Sequence, residues 1–456
     1  MVTGGGISGL SAAYYLHRAG LPCVLIEPEP RLGGVIRTET VDGCVVESGP
    51  DGFLAQKPWA SELVRDLGIE DQLIGSQDQL RKTYVVRGGR LTPLPEGLYL
   101  MVPTRLRPLL GTPLFSWAAK CRMMSDLLRW RPPRSARRDR SVAEFVREHF
   151  GREAVSYLAE PLLAGIYGGD AAELSAASVL PRFLEMESRY GSVIRGVLLS
   201  LSSAPAGDPA PLFLSLKRGM QQLVTALEEA LGAGVTRIRA AVERIEKTPG
   251  GYRLEWAGGA LEAGQVVLAT PAYMAGAILR DLDGTLSQRL SEIRYHSSIT
   301  LALGYDRAGF ERPLDGFGFL APKLERRLLT ACTWVGTKFP HRVAPDRVLL
   351  RAFIGAGAEE TLLNRPDEDL AAGVGEELRR LMGVTQAPLF TRISRSRRAM
   401  AQYTVGHGRR LEEIHARLAR WPGLLLAGNA YQGIGVPDCI HSGKEAALRI
   451  VATSGH

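Results

Sequence analysis

The first 27 residues carry a strand–helix–strand pattern of apolar and polar positions. Met1-Val2-Thr3 runs into glycines, and residues 10–16 then place apolar side chains on one helical face that ends near Gly20. Cys23-Val24-Leu25-Ile26 is an apolar run typical of a buried strand, and Glu27 ends it. This pattern predicts two neighbouring strands of a parallel sheet that are joined by a helix.

The same reasoning predicts elements along the rest of the chain. The patterns predict helices over 59–67 and 216–231, a helix beginning at Pro437, and strands over 84–86, 236–239, 242–245, 252–256, 265–270, 347–354 and 424–429. Residues 98–205 are predicted to be mainly helical, 290–392 to form a second α+β block, and 205–209 to be a linker. The strand at 265–270 is a continuous apolar run, so we expect it in the interior of the parallel sheet.

The glycines between the first strand and helix match the GxGxxG pattern of dinucleotide-binding loops. Gly4-Gly5-Gly6-Ile7-Ser8-Gly9 supplies the three glycines at positions 4, 6 and 9. Gly4 permits a tight turn, Gly6 lets the backbone approach a pyrophosphate, and Gly9 allows close packing of the helix. The helix N-terminus offers unpaired N–H groups to the phosphates, and Glu27 stands where a carboxylate binds ribose hydroxyls.

Two further glycine-rich segments indicate FAD rather than a nicotinamide cofactor. Arg31-Leu32-Gly33-Gly34 is typical of the loop that amine-oxidase-type flavoproteins wrap around FAD, with an arginine beside the phosphates. Gly49-Pro50-Asp51-Gly52 could pass close to a flat ring, although an ordinary hairpin turn fits this segment equally well.

The C-terminal glycine-rich segment completes the predicted FAD site. Gly433-Ile434-Gly435-Val436 precedes Pro437, a residue that suits a first helical turn. The positive end of that helix, aimed at the N1–C2=O edge of a flavin, would stabilise the reduced ring. We therefore expect both ends of the chain to bind FAD.

Composition excludes several other classes of protein. Hydrophobic residues make up 45% and charged residues 23%, which are ordinary globular values. The net charge of +8 fits an anionic partner, but nothing resembles a nucleic-acid-binding module, so we expect no nucleic acid. The five cysteines form no CxxC pair, which favours a reducing compartment, and no histidine spacing indicates a metal site.

Several motifs, in this order, resemble the porphyrinogen oxidases of haem biosynthesis, within the wider amine-oxidase-like flavoproteins. The general FAD motifs are 4–10 (GGGISGL), 27–34 and 266–272 (VVLATPA). The more specific ones are 160–170 (EPLLAGIYGGD), 316–320 (GFGFL), 402–407 (QYTVGH) and 433–440 (GIGVPDCI). The resemblance covers essentially the whole chain.

The resemblance implies a six-electron oxidation of a porphyrinogen to the porphyrin, with hydrides passing from meso carbons to flavin N5 and oxygen reoxidising the flavin. It implies that the Gly165 carbonyl orients the tetrapyrrole, that Leu320 and Phe353 hold pyrrole rings, and that Val242 touches the adenine end of FAD. Core packing is the alternative role for Leu320 and Phe353. No residue stands out as a catalytic base.

The expected substrate is coproporphyrinogen III, with protoporphyrinogen IX second. Plant and animal protoporphyrinogen oxidases commonly carry a propionate-binding arginine where this chain has Thr83, although Arg81 and Lys82 are adjacent. Segments 330–334 (TACTW) and 340–341 (PH) resemble the Gram-positive-type bacterial enzymes, which also lack that arginine and prefer coproporphyrinogen III.

The predicted fold class is α/β, with a Rossmann-type FAD-binding domain, an α+β substrate domain and an inserted helical domain. The boundaries are 1–75, 216–285 and 393–456 for the FAD-binding domain, 76–97 and 286–392 for the substrate domain, and 98–215 for the helical, membrane-binding-like domain.

The expected location is the cytoplasm, because no secretory signal or long apolar run is present, with peripheral contact at the inner face of the cell membrane as a further possibility. The arginine-rich segment 129–140 is a solvated loop or a contact for anionic lipid. Hand-over of porphyrin to the next haem-pathway enzyme is a further expected partnership.

Two other functions remain open at this point. A flavin amine oxidase or related FAD-dependent desaturase would share the FAD motifs, but it leaves the GIYGGD segment without a role. A non-catalytic porphyrin carrier would keep the fold, but it would not need both FAD-binding ends.

Overall fold

The computed structural model describes residues 1–129, 138–202, 211–311, 313–355 and 360–454. The arginine-rich stretch at 130–137 and the predicted linker at 205–209 lie outside the described residues.

Helices and strands follow one another in this order along the described chain. Residues 1–76 form β1 (Val2–Thr3), α1 (Ile7–Arg18), β2 (Cys23–Ile26), β3 (Thr38–Val41), β4 (Cys44–Glu47), β5 (Phe53–Leu54), α2 (Pro58–Asp66) and β6 (Leu73–Gly75). Residues 77–202 form β7 (Thr83–Arg87), β8 (Arg90–Pro93), β9 (Leu98–Tyr99), β10 (Val102–Pro103), α3 (Leu106–Gly111), α4 (Trp117–Met124), α5 (Val142–Phe150), α6 (Arg152–Ala154), a π-helical turn (Val155–Ala159), α7 (Glu160–Tyr167), α8 (Ala176–Val179), α9 (Pro181–Tyr190) and α10 (Val193–Ser202).

The second half of the chain continues with β11 (Phe213–Leu216), α11 (Gln221–Leu231), β12 (Val235–Ile238), β13 (Val242–Thr248), β14 (Gly251–Trp256), β15 (Gly259–Ala263), β16 (Val266–Leu268), α12 (Ala272–Ile278), α13 (Gly284–Ser291), β17 (Tyr295–Asp306), β18 (Gly318–Leu320), β19 (Ala331–Trp334), α14 (Val335–Lys338), β20 (Arg347–Ile354), α15 (Glu360–Leu363), α16 (Asp367–Met382), β21 (Phe390–Ala401), α17 (His407–Leu418), β22 (Leu424–Leu426) and α18 (Val436–Thr453).

The chain divides into two compact units. The first comprises Met1–Ser76, Pro211–Tyr295 and Arg409–His456, and the second comprises Gln77–Ala210 and His296–Gly408. The chain therefore enters each unit more than once. The finer division into three domains stays a prediction.

A parallel five-stranded sheet organises the first unit. Its strand order is β12-β2-β1-β16-β22, and every neighbouring pair is parallel. Side chains of α1, α11 and α18 form one buried apolar cluster with strands of this sheet. The apolar strand at 266–268 is an inner strand of this sheet, as its uninterrupted apolar pattern predicts.

A seven-stranded sheet organises the second unit, in the order β21-β17-β20-β19-β18-β7-β8. Alternate side chains of β7 and β18 enter two different apolar clusters. Val85 and Leu320 pack with the cluster of α4–α10, whereas Val86 and Phe319 pack with the cluster that includes α16. The sheet therefore separates a helical layer from a second core.

Two predicted boundaries need correction. The helix predicted over 216–231 begins only at Gln221, because 213–216 pair as β11 and Gly219 turns the chain with φ +97°. Residues 393–408 were predicted in the FAD-binding domain, but β21 belongs to the seven-stranded sheet. Long-range strand pairing decides both boundaries, and no local pattern encodes it.

Among the described residues, no helix is both long and apolar enough to cross a membrane.

Candidate functional site

The three motif glycines of the first loop meet three different surroundings. Gly4 has φ +98°, and a Cβ there would lie 2.6 Å from the Ala269 carbonyl oxygen. A Cβ on Gly9 would lie 1.9 Å from the Gly4 carbonyl oxygen, so α1 approaches the loop as closely as backbone permits. A Cβ on Gly6 would meet no atom within 4 Å. Gly4 and Gly9 therefore hold the turn together, whereas Gly6 presents open backbone to a ligand.

The start of α1 favours negatively charged groups, whereas the end of β2 carries a carboxylate, that of Glu27. Gly6 is the N-cap residue of α1, and no side chain caps the helix there, so Ile7 and Ser8 lie in an uncapped first turn that favours phosphate. Glu27 lies beside this turn, where its Oε2 accepts a hydrogen bond from the Gly5 N–H at 2.5 Å. The carboxylate is therefore held at the loop, and its contact with a ribose stays a prediction.

A cavity of about 600 Å³ opens beside the glycine loop. Gly4 and Val242 both line it, and contact of Val242 with the adenine end of a dinucleotide stays a prediction. The hydroxyl groups of Thr3 and Thr270 also belong to its lining, and each is buried and has no hydrogen-bond partner among the described residues. Unpartnered buried hydroxyls beside open backbone are groups that a polar ligand would satisfy.

The Arg31–Gly34 segment folds against the glycine loop. The Gly33 N–H donates to the Gly5 carbonyl at 2.8 Å. The Arg31 guanidinium donates to the carbonyl of Ile36 at 2.6 Å and also to that of Gly34. Burial lowers the pKa of Arg31. In this arrangement Arg31 braces its own loop, and its contact with a phosphate stays a prediction.

The Gly49–Gly52 segment lies against Val35, the residue that follows the Arg31–Gly34 segment. A Cβ on Gly49 would stand 2.0 Å from the Val35 carbonyl oxygen, so only glycine fits. The Asp51 carbonyl accepts a hydrogen bond from Ser215 Oγ at 2.6 Å, which fixes the turn that includes Pro50 to β11. These contacts explain the turn structurally and leave its contact with a flat ring a prediction.

The C-terminal segment joins the first glycine loop through helix packing. A Cβ on Gly443 in α18 would lie 2.1 Å from the Ser8 carbonyl oxygen, so the N-terminal halves of α18 and α1 touch. At the start of α18, Asp438 accepts a hydrogen bond from the Gly435 N–H at 3.2 Å and pairs with Lys57 at 2.6 Å. The two ends of the chain therefore pack together, and their joint binding of FAD stays a prediction.

Gly433 and Ile434 lie in the loop before α18. Gly433 has φ +148°, and a Cβ there would stand 2.3 Å from Cγ of Asp438. Because Asp438 folds back over this loop, the segment from Gly433 to Val436 is held close to the helix start. Together with the uncapped start of α1, the cavity and the two unpartnered hydroxyls, this loop gives a site that fits FAD.

The predicted substrate residues gather on one face of the seven-stranded sheet. Leu320 pairs with Ala331, Ala331 pairs with Phe353, and Phe353 pairs with Thr300. Directly paired residues point to the same side of a sheet, so Leu320 and Phe353 share a face at a distance of two strand spacings, about 10 Å. We call this surface, defined by Leu320, Ala331, Phe353 and Thr300, the substrate face.

Gly165 lies against the substrate face. Leu320 Cδ2 is 3.6 Å from the point that a Cβ on Gly165 would occupy. In the described part of the chain, no hydrogen bond reaches the Gly165 carbonyl oxygen, whereas the neighbouring Ala164 and Tyr167 carbonyls accept from Gly168 N–H and Gln402 Nε2. Carbonyls of the last helical turn lack intrahelical partners, so this one is available as an acceptor.

Two of the specific sequence motifs meet at the end of α7. Gln402 Nε2 donates to the Tyr167 carbonyl at 2.8 Å, across 235 positions of sequence. Nearby, His296 Nδ1 lies 2.7 Å from the Gly168 carbonyl oxygen. The tetrapeptide after Gly165 is thus held by a side chain of β17 and by that of the residue after β21.

A buried ion pair connects the helix of Gly165 to the strand of Leu320. Glu160 Oε1 lies 2.7 Å from a terminal guanidinium nitrogen of Arg326, and Glu160 Oε2 accepts from the Lys323 N–H at 2.8 Å. Arg326 also donates to the carbonyl of Ala321, the residue after Leu320. Arg326 therefore links both sides of the Gly165–Leu320 contact.

Thr83 lies on the same side of the sheet as the substrate face. It pairs with Gly318, Gly318 with Thr333, and Thr333 with Arg351, in the row next to Leu320 and Phe353. Lys82 is bound to Asp315 at 2.6 Å, where the salt bridge raises the pKa of Lys82. Arg81 is exposed, so of the two adjacent cations it is the better candidate for a carboxylate.

The sequence reasoning missed Glu160, Arg326, Gln402 and His296 as parts of this site. Glu160 and Gln402 lay within recognised motifs, but nothing local assigned them a contact. Arg326 and His296 had no signal at all, because a lone arginine or histidine in a strand or turn is usually structural.

The chain belongs to the flavin-containing amine oxidoreductase family, whose sequence profile matches residues 7–451. It is an FAD-dependent oxidoreductase, as the predicted fold class and cofactor require.

Several similar proteins carry the name of a porphyrinogen oxidase. The chain is 34% identical to a coproporphyrinogen III oxidase of Bacillus subtilis, over 98% of this chain and 96% of the relative. It is 30% identical to a coproporphyrinogen III oxidase of Staphylococcus aureus, over 99% of this chain and 98% of the relative. A crystal structure of a protein assigned as a protoporphyrinogen oxidase, from Exiguobacterium sp. 255-15, superposes with a TM-score of 0.87 at 33% identity, covering 99% of this chain and 98% of that one.

Proposed function

We propose that this protein oxidises a porphyrinogen to the porphyrin, with coproporphyrinogen III preferred and protoporphyrinogen IX second. The observation that carries the proposal is the contact of Gly165 with Leu320 on the face that also holds Phe353. These are the three residues to which the resemblance assigns substrate binding. The names of the similar bacterial enzymes support coproporphyrinogen III.

The proposed roles follow from the chemistry of each group. The Gly165 carbonyl accepts a hydrogen bond from pyrrole N–H groups, while Leu320 and Phe353 contact the rings through apolar surface. Bound FAD supplies the two-electron acceptor for each of three oxidation steps. Because the complete six-electron oxidation ends in an aromatic macrocycle, the overall reaction is favourable, and the role proposed for these three residues is placement of the substrate.

The test is the appearance of porphyrin fluorescence from FAD-loaded enzyme, supplied in parallel with coproporphyrinogen III and protoporphyrinogen IX in air. Faster turnover of coproporphyrinogen III supports the proposal. Faster turnover of protoporphyrinogen IX would reverse the substrate order and direct attention to Arg81. No turnover of either, with turnover of an amine, would make the protein an amine oxidase.

We further propose molecular oxygen as the electron acceptor. Aerobic turnover should consume oxygen and form peroxide, three molecules for each porphyrin. Turnover that continues unchanged under argon, with no added acceptor, would refute this role. A porphyrin that stays bound until a second haem-pathway enzyme is added would support hand-over.

Peripheral contact with an anionic membrane is also part of the proposal. Several large apolar side chains of the helical layer are exposed, including Trp117 (67%) and Leu128 (83%) and, on α10, Leu198, Leu199 and Leu201. Lys120 Nζ lies 4.5 Å from the centroid of the Trp117 ring, so cationic and apolar groups occur together. Co-sedimentation with vesicles containing phosphatidylglycerol, but not with phosphatidylcholine vesicles, would support this contact.

A further inference from the structure

One histidine is held at the end of the helix that carries Gly165. His296 is the second residue of β17, and its Nδ1 lies 2.7 Å from the Gly168 carbonyl oxygen. A carbonyl oxygen only accepts hydrogen bonds, so Nδ1 must carry the hydrogen. In the neutral imidazole this leaves the lone pair on Nε2, and the ring is presented as a base.

The position of His296 relates it to the substrate face. It stands four residues before Thr300 in β17, and an even spacing puts both side chains on one side of a regular strand. Its hydrogen-bond partner, Gly168, is the C-cap residue of α7 and follows Gly165 by three residues. Three residues of chain span no more than about 10 Å, so the base lies near the carbonyl that is proposed to receive the pyrrole N–H.

The other acidic groups around α7 are engaged with cations. Glu160 is paired with Arg326 at 2.7 Å. Asp170 pairs with Lys323 at 3.1 Å; although burial opposes ionisation, this pair and the hydrogen bond from the Ala172 N–H lower its pKa. The Asp170 carboxylate, held in this way, is a weak proton acceptor. An imidazole with an available lone pair is the better base near neutral pH.

We propose that His296 Nε2 accepts the pyrrole N–H proton that each oxidation step releases. This inference rests on the proposed function. In each step a meso C–H bond would break with loss of hydride, for which bound FAD would supply the two-electron acceptor. A pyrrole N–H bond breaks as well, its proton goes to Nε2, and its electron pair stays on the nitrogen of the neutral macrocycle. Over the three steps one further meso hydrogen moves to a ring nitrogen by tautomerisation, so the product has lost four meso hydrogens and a net two N–H hydrogens. The imidazolium then returns the proton to water.

The test compares wild-type holoenzyme with His296→Asn. The asparagine amide can still donate to the Gly168 carbonyl but cannot act as a base, so the local structure is retained. We expect kcat to fall about 100-fold, since a general base contributes about 10²–10⁴. KM and the affinity for coproporphyrin III should change less than about threefold. Imidazole added to His296→Ala should restore part of the activity. His341→Asn, an exposed histidine of the same unit, serves as the control.

A second measurement does not depend on turnover. Nitrogen-15 NMR of histidine-labelled holoenzyme should show the His296 ring protonated on Nδ1 and unprotonated on Nε2. A ring protonated on Nε2 overturns the inference, and so does an active wild type with equally active His296→Asn, which leaves the proposed function intact. A wild type that oxidises neither porphyrinogen overturns both.

Discussion

Leu320 Cδ2 lies 3.6 Å from the position of a Cβ on Gly165, a distance of ordinary van der Waals contact. One methyl group therefore fits between the helix and the substrate face without displacing either. Gly165 lies inside α7, and its φ is not positive. The backbone conformation at this position does not require glycine. We therefore expect the absence of a side chain at Gly165 to serve substrate binding.

Gly165→Ala should separate folding from substrate binding. Alanine stabilises a helix interior relative to glycine by about 1 kcal/mol, so the unfolding temperature should stay the same or rise. The added methyl occupies the surface beside the carbonyl acceptor, so KM for coproporphyrinogen III should rise about tenfold or more. Thermal unfolding and steady-state kinetics check the two parts. An unchanged KM would remove Gly165 from the substrate site.

Gly6→Ala and Gly9→Ala form a matched pair at the FAD loop. Gly6→Ala adds a methyl where no protein atom lies within 4 Å, so the fold should be retained while FAD affinity falls at least tenfold. Gly9→Ala places its methyl 1.9 Å from the Gly4 carbonyl oxygen, which should cost about 3 kcal/mol of stability.

Flavin fluorescence titration and thermal unfolding distinguish these two glycine variants. Gly250→Ala, at an open position of the same unit, is the control. Wild-type FAD affinity in Gly6→Ala would show that the open backbone at Gly6 does not face the cofactor.

Glu160→Gln should weaken both stability and catalysis. The change leaves the largely buried Arg326 guanidinium without its charged partner, at a cost of about 2 kcal/mol. Because Arg326 also holds the Ala321 carbonyl, the Gly165–Leu320 spacing should loosen and kcat/KM should fall about tenfold. In a double-mutant cycle with Arg326→Gln, a coupling energy below about 0.5 kcal/mol would argue against the link.

A buried charge network in the helical layer should make stability depend on pH. His149 Nδ1 lies 2.5 Å from Asp126 Oδ1 and Nε2 lies 3.1 Å from Glu187 Oε1. Burial opposes the charge on His149, but its hydrogen bonds to both carboxylates outweigh burial and raise its pKa above 6.5. Burial also opposes ionisation of Glu187, but hydrogen bonds with His149 and Arg140 lower its pKa to about 2.

These two shifts define the pH window of greatest stability. The contribution of His149 is complete below pH 6.5 and is lost as pH rises through its raised pKa. The contribution of Glu187 is complete above pH 4.5 and is lost as pH falls toward about 2. The unfolding temperature should therefore be highest between pH 4.5 and pH 6.5, where both contributions are complete. His149→Gln should flatten the alkaline side, whereas the exposed-site variant His341→Gln should leave the profile unchanged.

Elements whose causes are local could be predicted from the order of amino acids alone. The strand at Cys23–Ile26 has the predicted bounds, and α1 and α18 begin within a few residues of the predicted positions. Glycine spacing, apolar periodicity and a proline in the first turn act over a few residues, so a short window of sequence contains them. The FAD cofactor and the family followed from these local signals.

Contacts between residues that are distant in the chain could not be predicted in this way. The register of three strands puts Leu320 and Phe353 on one face, and Gln402 binds the end of α7 although 235 positions of sequence separate it from Tyr167. The helix predicted from residue 216 failed at its start, because Phe213–Leu216 pairs with two other strands. Strand pairing and buried ion pairs depend on partners far away in the chain, and their free energy appears only when the whole domain is packed.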